Sequence, residues 1–316
     1  MEEPEGAIAP LRGRDGWLFL TGDSNDVLGQ HTGAVIPDRR WERRWSRLLR
    51  GRARLARRRD LTYGHVIVPD KEAVYADLLP PEIVPAPRRP VHRLLELGRR
   101  AGVEIAYPLD ELVAERSWGP IFYPTDTHWT GRGAYVAYRD ACQRLAARGV
   151  ELRVVAEDEI EWVEDTKSGD LGSRLDPSPV GTGFRARLRE QRARLIDDNR
   201  IYVTGRRLST ERADGEGPSC VIFGTSYAVY TLLFFAESFR RLVFVHTTSV
   251  DRETVREERP DVVLAISAER GIRRPPDDRR AHELLAATVE RKRREGQTFD
   301  PVEGRPQGLP SLLPPS

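Results

Sequence analysis

Two short runs of this 316-residue chain hold side chains that acyl chemistry can use. In Thr125-Asp126-Thr127-His128-Trp129 a carboxylate and an imidazole stand two residues apart. In an extended segment both leave the same side of the backbone. A carboxylate on one ring nitrogen fixes the tautomer and raises the basicity of the other. A structural Asp-His turn has the same pattern, and on these residues alone that reading stays open. The second run is Cys220-Val221-Ile222-Phe223-Gly224-Thr225-Ser226-Tyr227. An apolar strand there passes through a tight turn into the aromatic-rich helix YAVYTLLFFAESF. A serine at such a turn carries its hydroxyl at the sheet edge, and the first helix amides point the same way, which suits an oxyanion. The alternative is that Ser226 merely caps the helix. A nucleophilic serine needs a base, because its hydroxyl is hardly ionised at neutral pH. His128, oriented by Asp126, is the candidate.

Other residues compete with these or could support them. Gly22-Asp23-Ser24 offers a second serine, but NDVLGQHTGAVIPD after it has no helical periodicity. Asn25 and Asn199 are the only asparagines, so the expected oxyanion donors are the backbone N–H groups of Ser226 and neighbours such as Thr225. Tyr227 and Trp129 flank the candidate triad and could shape an acyl pocket. Arg270 could bind a carboxylate or phosphate through its fork, or make a structural pair near Glu269. Asp70 and Lys71 could line the site or simply hold a Pro-Asp-Lys turn. His31, His65, His92, His246 and His282 lack metal-ligand spacing, and Cys142 and Cys220 alone supply neither a disulfide framework nor a zinc site. No metal is expected.

These residues must be positioned by a sheet. Six short apolar runs read as buried strands: Gly16–Leu20, Tyr63–Pro69, Val103–Tyr107, Cys220–Gly224, Leu242–Thr247 and Asp261–Ser267. Helical patterns cover Arg39–Arg59, Pro90–Ala101, Gly131–Arg148, Tyr227–Phe239, Arg252–Glu258 and Asp277–Glu295. Thr130 is the expected N-cap of the third. Apolar strands alternating with helices imply an α/β fold with a mainly parallel sheet covered on both faces. The stretch of about 151–216 breaks the alternation and reads as an inserted irregular and β segment, with WVED and RIYVTG as its β-like pieces. Residues 1–298 are expected to form one catalytic domain, followed by a loose, proline-rich tail at 299–316.

Composition narrows the partners. With 51 Lys+Arg against 49 Asp+Glu, the net charge of +2 argues against the broad basic footprint of a nucleic-acid binder. Lys71, Lys167 and Lys292 are the only lysines, so arginine supplies nearly all the positive charge, including the helical face of Arg39–Arg59. No apolar run approaches the ~18 residues of a membrane span. The first residues lack a basic and then apolar export pattern, giving a cytoplasmic expectation for the chain as it stands and an exported one if a leader was trimmed.

In order along the chain, Asp15-Gly16-Trp17-Leu18-Phe19, the run VPDKEAVYADLLP from Val68 to Pro80, Thr125–Trp129, Gly169-Asp170-Leu171, Gly224–Tyr227 and PDVVLAISAER from Pro260 to Arg270 form a fairly specific set. This set resembles the SGNH hydrolase-like acetyltransferase domain of the alginate O-acetylation proteins, the AlgX/AlgJ type. The resemblance implies a three-layer α/β/α SGNH-like fold with permuted motif order, the acid and base preceding the nucleophile. It implies Ser226 as nucleophile, His128 as general base and acid, and Asp126 as the residue orienting His128. The expected activity is O-acyl transfer, most simply O-acetyl transfer, through an acyl-serine intermediate onto a hydroxyl of a carbohydrate or small molecule. An esterase or a non-catalytic glycan- or partner-binding domain are the rivals. No cofactor is expected; the acyl donor is a co-substrate such as acyl-CoA or an acyl carrier protein, the latter being a protein partner.

Overall fold

The computed structural model describes residues 9–298. Its strands are β1 (Leu11–Arg12), β2 (Leu18–Phe19), β3 (Thr62–Val68), β4 (Ile105–Ala106), β5 (Ile160–Lys167), β6 (Gly181–Leu188), β7 (Ala193–Asp198), β8 (Arg207–Arg212), β9 (Ser219–Gly224), β10 (Arg241–His246) and β11 (Val262–Ala268). Its α-helices are α1 (Val27–Thr32), α2 (Arg39–Arg59), α3 (Lys71–Val74), α4 (Pro90–Ala101), α5 (Leu109–Glu115), α6 (Gly131–Ala146), α7 (Gly169–Gly172), α8 (Ser226–Ser238), α9 (Arg252–Glu258) and α10 (Ala281–Arg294).

Seven strands make the central sheet in the order β4-β3-β11-β9-β10-β8-β7. The first five are mutually parallel, and β8 and β7 add an antiparallel pair at one edge. Side chains alternate between two cores. On one face Cys220, Ile222, Phe244, Leu264 and Ile266 pack with residues of α6 and α8. On the other Val221, Phe223, Val245, Val263 and Ala265 pack with residues of α2 and α4. With both faces covered, nearly every inner position of the central strands is apolar, which is why these strands read as near-continuous hydrophobic runs. The fold is therefore α/β with a mainly parallel sheet between helical layers. Helix α2 buries Trp41, Trp45, Leu48, Leu49, Ala53 and Ala56 along one stripe and is capped by Asp38, whose side chain accepts from Trp41 N.

Two expectations need correction. The run Gly16–Leu20 is not a strand of the central sheet; only Leu18–Phe19 is extended, paired with Leu11–Arg12. Its amides are claimed elsewhere, Leu18 N–H by Pro124 O (2.9 Å) and Leu20 N–H by the Glu72 carboxylate (3.0 Å). Within 151–216, β5 and β6 form a separate antiparallel hairpin, whereas β7 and β8 extend the central sheet itself. WVED lies in β5, but RIYVTG is the loop between β7 and β8, where Arg200 and Val203 turn the chain with φ of 56° and 57°. The expected tail lies outside the described residues. Among those described, no helix is long and apolar enough to cross a membrane.

Candidate active site

Three neighbouring parallel strands, β3, β11 and β9, end beside one another, and just beyond them come Pro69-Asp70-Lys71, Glu269-Arg270 and Thr225-Ser226. Ligands of open α/β sheets bind at this end. Thr225 N–H donates to Ile266 O (3.1 Å), pinning the turn to β11. Thr225 is the N-cap residue of α8 but its side chain makes no cap bond, and Ser226 is the first helical residue. The Ser226 hydroxyl is therefore turned to other work than capping. It lies 2.7 Å from His128 Nε2, and His128 Nδ1 lies 2.7 Å from Asp126 Oδ1. Residues 98 apart in sequence are thus joined in one hydrogen-bonded chain.

The segment carrying Asp126 and His128 is irregular backbone and has to be held. Lys71, fully buried, reaches up from α3 and donates to the carbonyls of Tyr123 (3.2 Å), Pro124 (3.2 Å) and Asp126 (2.7 Å). Tyr227 OH donates to Thr127 O. Arg270 Nη1 donates to that same tyrosine oxygen (3.1 Å) and to Asp70 Oδ1 (2.6 Å). Asp170 accepts from Thr127 N (2.7 Å) and Oγ1 (2.5 Å). Thr130 caps α6 as expected, accepting from Gly133 N. Gly131 lets that helix meet the hairpin, since a Cβ there would stand 2.6 Å from Ala186 N.

The expected supporting residues fall into different places. Tyr227 and Trp129 are fully buried, with ring centroids 5.3 Å apart edge to face. The Tyr227 ring lies 5.1 Å from that of His128, with Trp129 packed against its edge. Lys71 bonds three carbonyls and Arg270 is paired with Asp70, so both brace the segment that carries Asp126 and His128. Glu269 pairs instead with Arg89 (3.2 Å) and accepts from Tyr107 OH (2.7 Å). Ser24 sits in the turn before α1, its carbonyl accepting from Arg274 (3.1 Å), while the imidazole faces Ser226.

Three residues of the site had escaped notice as functional groups. Lys167, the last residue of β5, places Nζ 2.7 Å from Asp126 Oδ2. Tyr230, one turn into α8, stacks on His128 with centroids 5.5 Å apart and planes 20° apart. Asp170 brings Oδ2 to 4.0 Å from His128 Nδ1. Asp126, His128 and Asp170 place one ligand atom each within 4.8 Å of one another, the spacing of a cation site. The Lys167 ammonium on Asp126 and the Ser226 hydroxyl on His128 already fill that geometry, which favours the triad.

The electrostatics agree. Burial works to raise the Asp126 carboxyl, but the His128 hydrogen bond and the Lys167 charge outweigh it and hold the group well below the usual carboxylate range. Asp126 is ionised at any working pH. Behind the site, burial pushes Glu72 and Glu269 up to about 7 and Lys71 down to about 8.

With this geometry in hand, similarity to known proteins can be weighed. A family model described as an SGNH hydrolase-like domain, acetyltransferase AlgX, matches residues 11–243. The probable alginate O-acetylase AlgJ of Pseudomonas aeruginosa is 27% identical over 233 residues, which cover 71% of this chain and 56% of that protein. The chain thus spans little more than half the length of this relative. Among solved structures, the O-acetyltransferase domain of Pseudomonas putida AlgJ aligns with a TM-score of 0.57 at 17% identity, covering 90% of this chain and all of the other. Bacillus cereus PatB1 with a sulfonyl adduct aligns with a TM-score of 0.64 at 11% identity, covering 85% of this chain and 96% of the other. At these identities the structures speak for the fold.

Proposed function

Because the chain belongs to the SGNH hydrolase-like domain family of the acetyltransferase AlgX, we propose that it is a serine-dependent O-acetyltransferase carrying its acyl group on Ser226. The observation behind this reading is the unbroken chain Ser226 Oγ–His128 Nε2–Asp126, with both links at 2.7 Å. In the first half-reaction Ser226 Oγ attacks the donor carbonyl and its proton passes to His128 Nε2. The oxyanion is stabilised by the amides of Ser226 and Tyr227, the first two of α8, since that of Ala228 already donates to Thr225 O (2.9 Å). Collapse breaks the bond to the leaving group, which departs with the proton from His128. In the second half-reaction an acceptor hydroxyl gives its proton to His128 and attacks the acyl-serine. The acyl group leaves on the acceptor oxygen, and Ser226 recovers the proton.

The residues in this scheme are sufficient without a cofactor; the donor enters as a co-substrate, an acyl-CoA, an acyl carrier protein or another activated ester. The name of the relative, an alginate O-acetylase, supports a carbohydrate hydroxyl as acceptor. The decisive experiment incubates the protein with a chromogenic acetyl ester and a serine-directed phosphonate and locates the adduct by mass spectrometry. Label on Ser226, absent in Ser226→Ala and reduced in His128→Ala, is expected. Label on Ser24, or full activity in Ser226→Ala, would overturn the scheme. Adding a candidate sugar acceptor separates transfer from hydrolysis: an acetylated sugar supports the reading, whereas free acetate regardless of acceptor makes the protein an esterase.

A further inference from the structure

We propose that Lys167 is a positioning residue for the triad: its ammonium, held between Asp126 and Tyr230, locks the carboxylate onto His128 and balances its charge. The inference rests on the acyl-serine reading above and goes beyond it in making the β5–β6 hairpin a part of the catalytic machinery.

The two oxygens of Asp126 have different partners. Oδ1 accepts from the ring and the backbone N–H of His128 (2.7 and 2.8 Å), and Oδ2 meets Lys167 Nζ at 2.7 Å. A carboxylate held at both oxygens cannot turn without losing a charge-assisted bond. Lys167 is itself held. Its side chain is only 19% exposed, and its Nζ stands 4.1 Å from the centre of the Tyr123 ring and 3.3 Å from Tyr230 OH. Tyr230 in turn lies flat against the imidazole. One lysine thus steadies the acid directly and the base through a stacked ring. A compact ammonium suits this place. The planar guanidinium used almost everywhere else in this chain has a wider fork, a longer reach and a different donor geometry.

The charge matters as well as the clamp. Asp126 and Asp170 face the imidazole edge with Lys167 on the far oxygen of Asp126, and the rings of Tyr227 and Tyr230 pack against the imidazole. Arg270 and Lys71 lie behind, each engaged by its own acceptors, and His246 is a weakly felt neighbour held neutral by burial. Removing Lys167 therefore leaves two carboxylates facing the ring without their nearest counter-charge. A protonated ring is then better stabilised, and the base is lost to protonation at higher pH than before.

The test uses the whole chain with a chromogenic acetyl ester, following kcat, KM and the pH profile for wild type, Lys167→Met, Lys167→Gln and Lys167→Arg. For Lys167→Met we expect kcat to fall ~10- to 100-fold with KM little changed, and the acidic limb of kcat/KM to move up by about one pH unit. Lys167→Arg should return the limb to its wild-type position, even with kcat lowered. A merely structural lysine would lower the melting temperature without moving the limb, and an unmoved limb overturns the inference. If Lys167→Met does not fold, the pH dependence of phosphonate labelling at Ser226 in Lys167→Gln decides in the same way. Failure of the wild type to label at Ser226 sinks the acyl-serine reading; labelling with an unshifted limb sinks only the role of Lys167.

Discussion

Asp126 Oδ1 serves His128 twice, accepting from its ring Nδ1 at 2.7 Å and from its backbone N–H at 2.8 Å. An ionised carboxylate can only accept. The proton therefore sits on Nδ1, and Nε2 offers its lone pair to Ser226. Asp126→Asn keeps the shape but can present an amide donor to Nδ1, reversing the tautomer. We expect kcat to fall by ~10³- to 10⁴-fold with little change in near-UV circular dichroism; a fall below tenfold would mean that the carboxylate does not set the tautomer.

Tyr227 transmits the anchoring of Asp70 and Arg270 to the catalytic segment, because its hydroxyl accepts from Arg270 and donates to Thr127 O, between the acid and the base. Tyr227→Phe leaves both partners buried and short of a bond, at a cost of about 1–3 kcal/mol. Thermal unfolding should show this loss. The ester assay should show kcat falling further than KM changes, since the segment that moves carries His128.

Glu72 links pH to stability. Burial raises its carboxyl from 4.5 to about 7 in the folded protein. The folded state thus favours the proton, so this contribution is complete below about 4.5 and disappears as the pH rises through about 7. Glu72→Gln preserves an acceptor for Leu20 N–H and has no charge to bury. Between pH 5 and pH 8 its melting temperature should decline less than that of wild type, a difference of a few degrees at ~2–4 °C per kcal/mol. Equal slopes would show that Glu72 does not titrate in this range.

Gly169 marks where the hairpin comes down onto the acid. Its φ is +68°, and a Cβ there would stand 2.5 Å from Asp126 Cβ and 2.7 Å from Thr125 O. Gly169→Ala suffers both the left-handed backbone and the collision, the backbone alone costing roughly 1–2 kcal/mol. Because the collision falls on Asp126, activity should drop by more than the stability loss accounts for, as measured by kcat/KM at a temperature where the variant is fully folded.

The central strands and the residues of the Asp126–His128–Ser226 hydrogen-bonded chain were legible in the sequence for local reasons. Asp126 and His128 sit two apart, and Ser226 follows an apolar strand through a glycine turn, so backbone periodicity alone hints at their roles. Helices such as Arg39–Arg59 announce themselves by a stripe of Trp and Leu at helical spacing. The hairpin gave a weaker signal, with only WVED of β5 reading as β-like. β5, IEWVEDTK, is only partly buried along most of its length and carries acidic residues on both faces, so its alternation is weak. β7 (ARLIDD), the edge strand, and β8 (RLSTER) beside it are interrupted by charged residues and show no unbroken apolar run. Lys167 and Asp170 acquire meaning only through contacts some 40 residues away, with Asp126 and Thr127. The run GWLFL misled because its apolar residues are split between two cores, Leu18 and Leu20 filling a small satellite around Leu171 while Phe19 and Trp17 pack against the main one from outside the sheet.

The strand order also governs how the protein can fold. β3 has β11 on one side, pairing Thr62 with Val262, and Asp70 meets Arg270 across 200 residues. A chain emerging from the ribosome has made Asp126 and His128 long before it has β11, the strand that stands between β3 and the β9 that leads to Ser226. Pairings of this range are slow to close. β11, the last strand to be made, is therefore the keystone that joins the two parts of the sheet, and the turn at Ser226 takes its place beside β3 only after it docks.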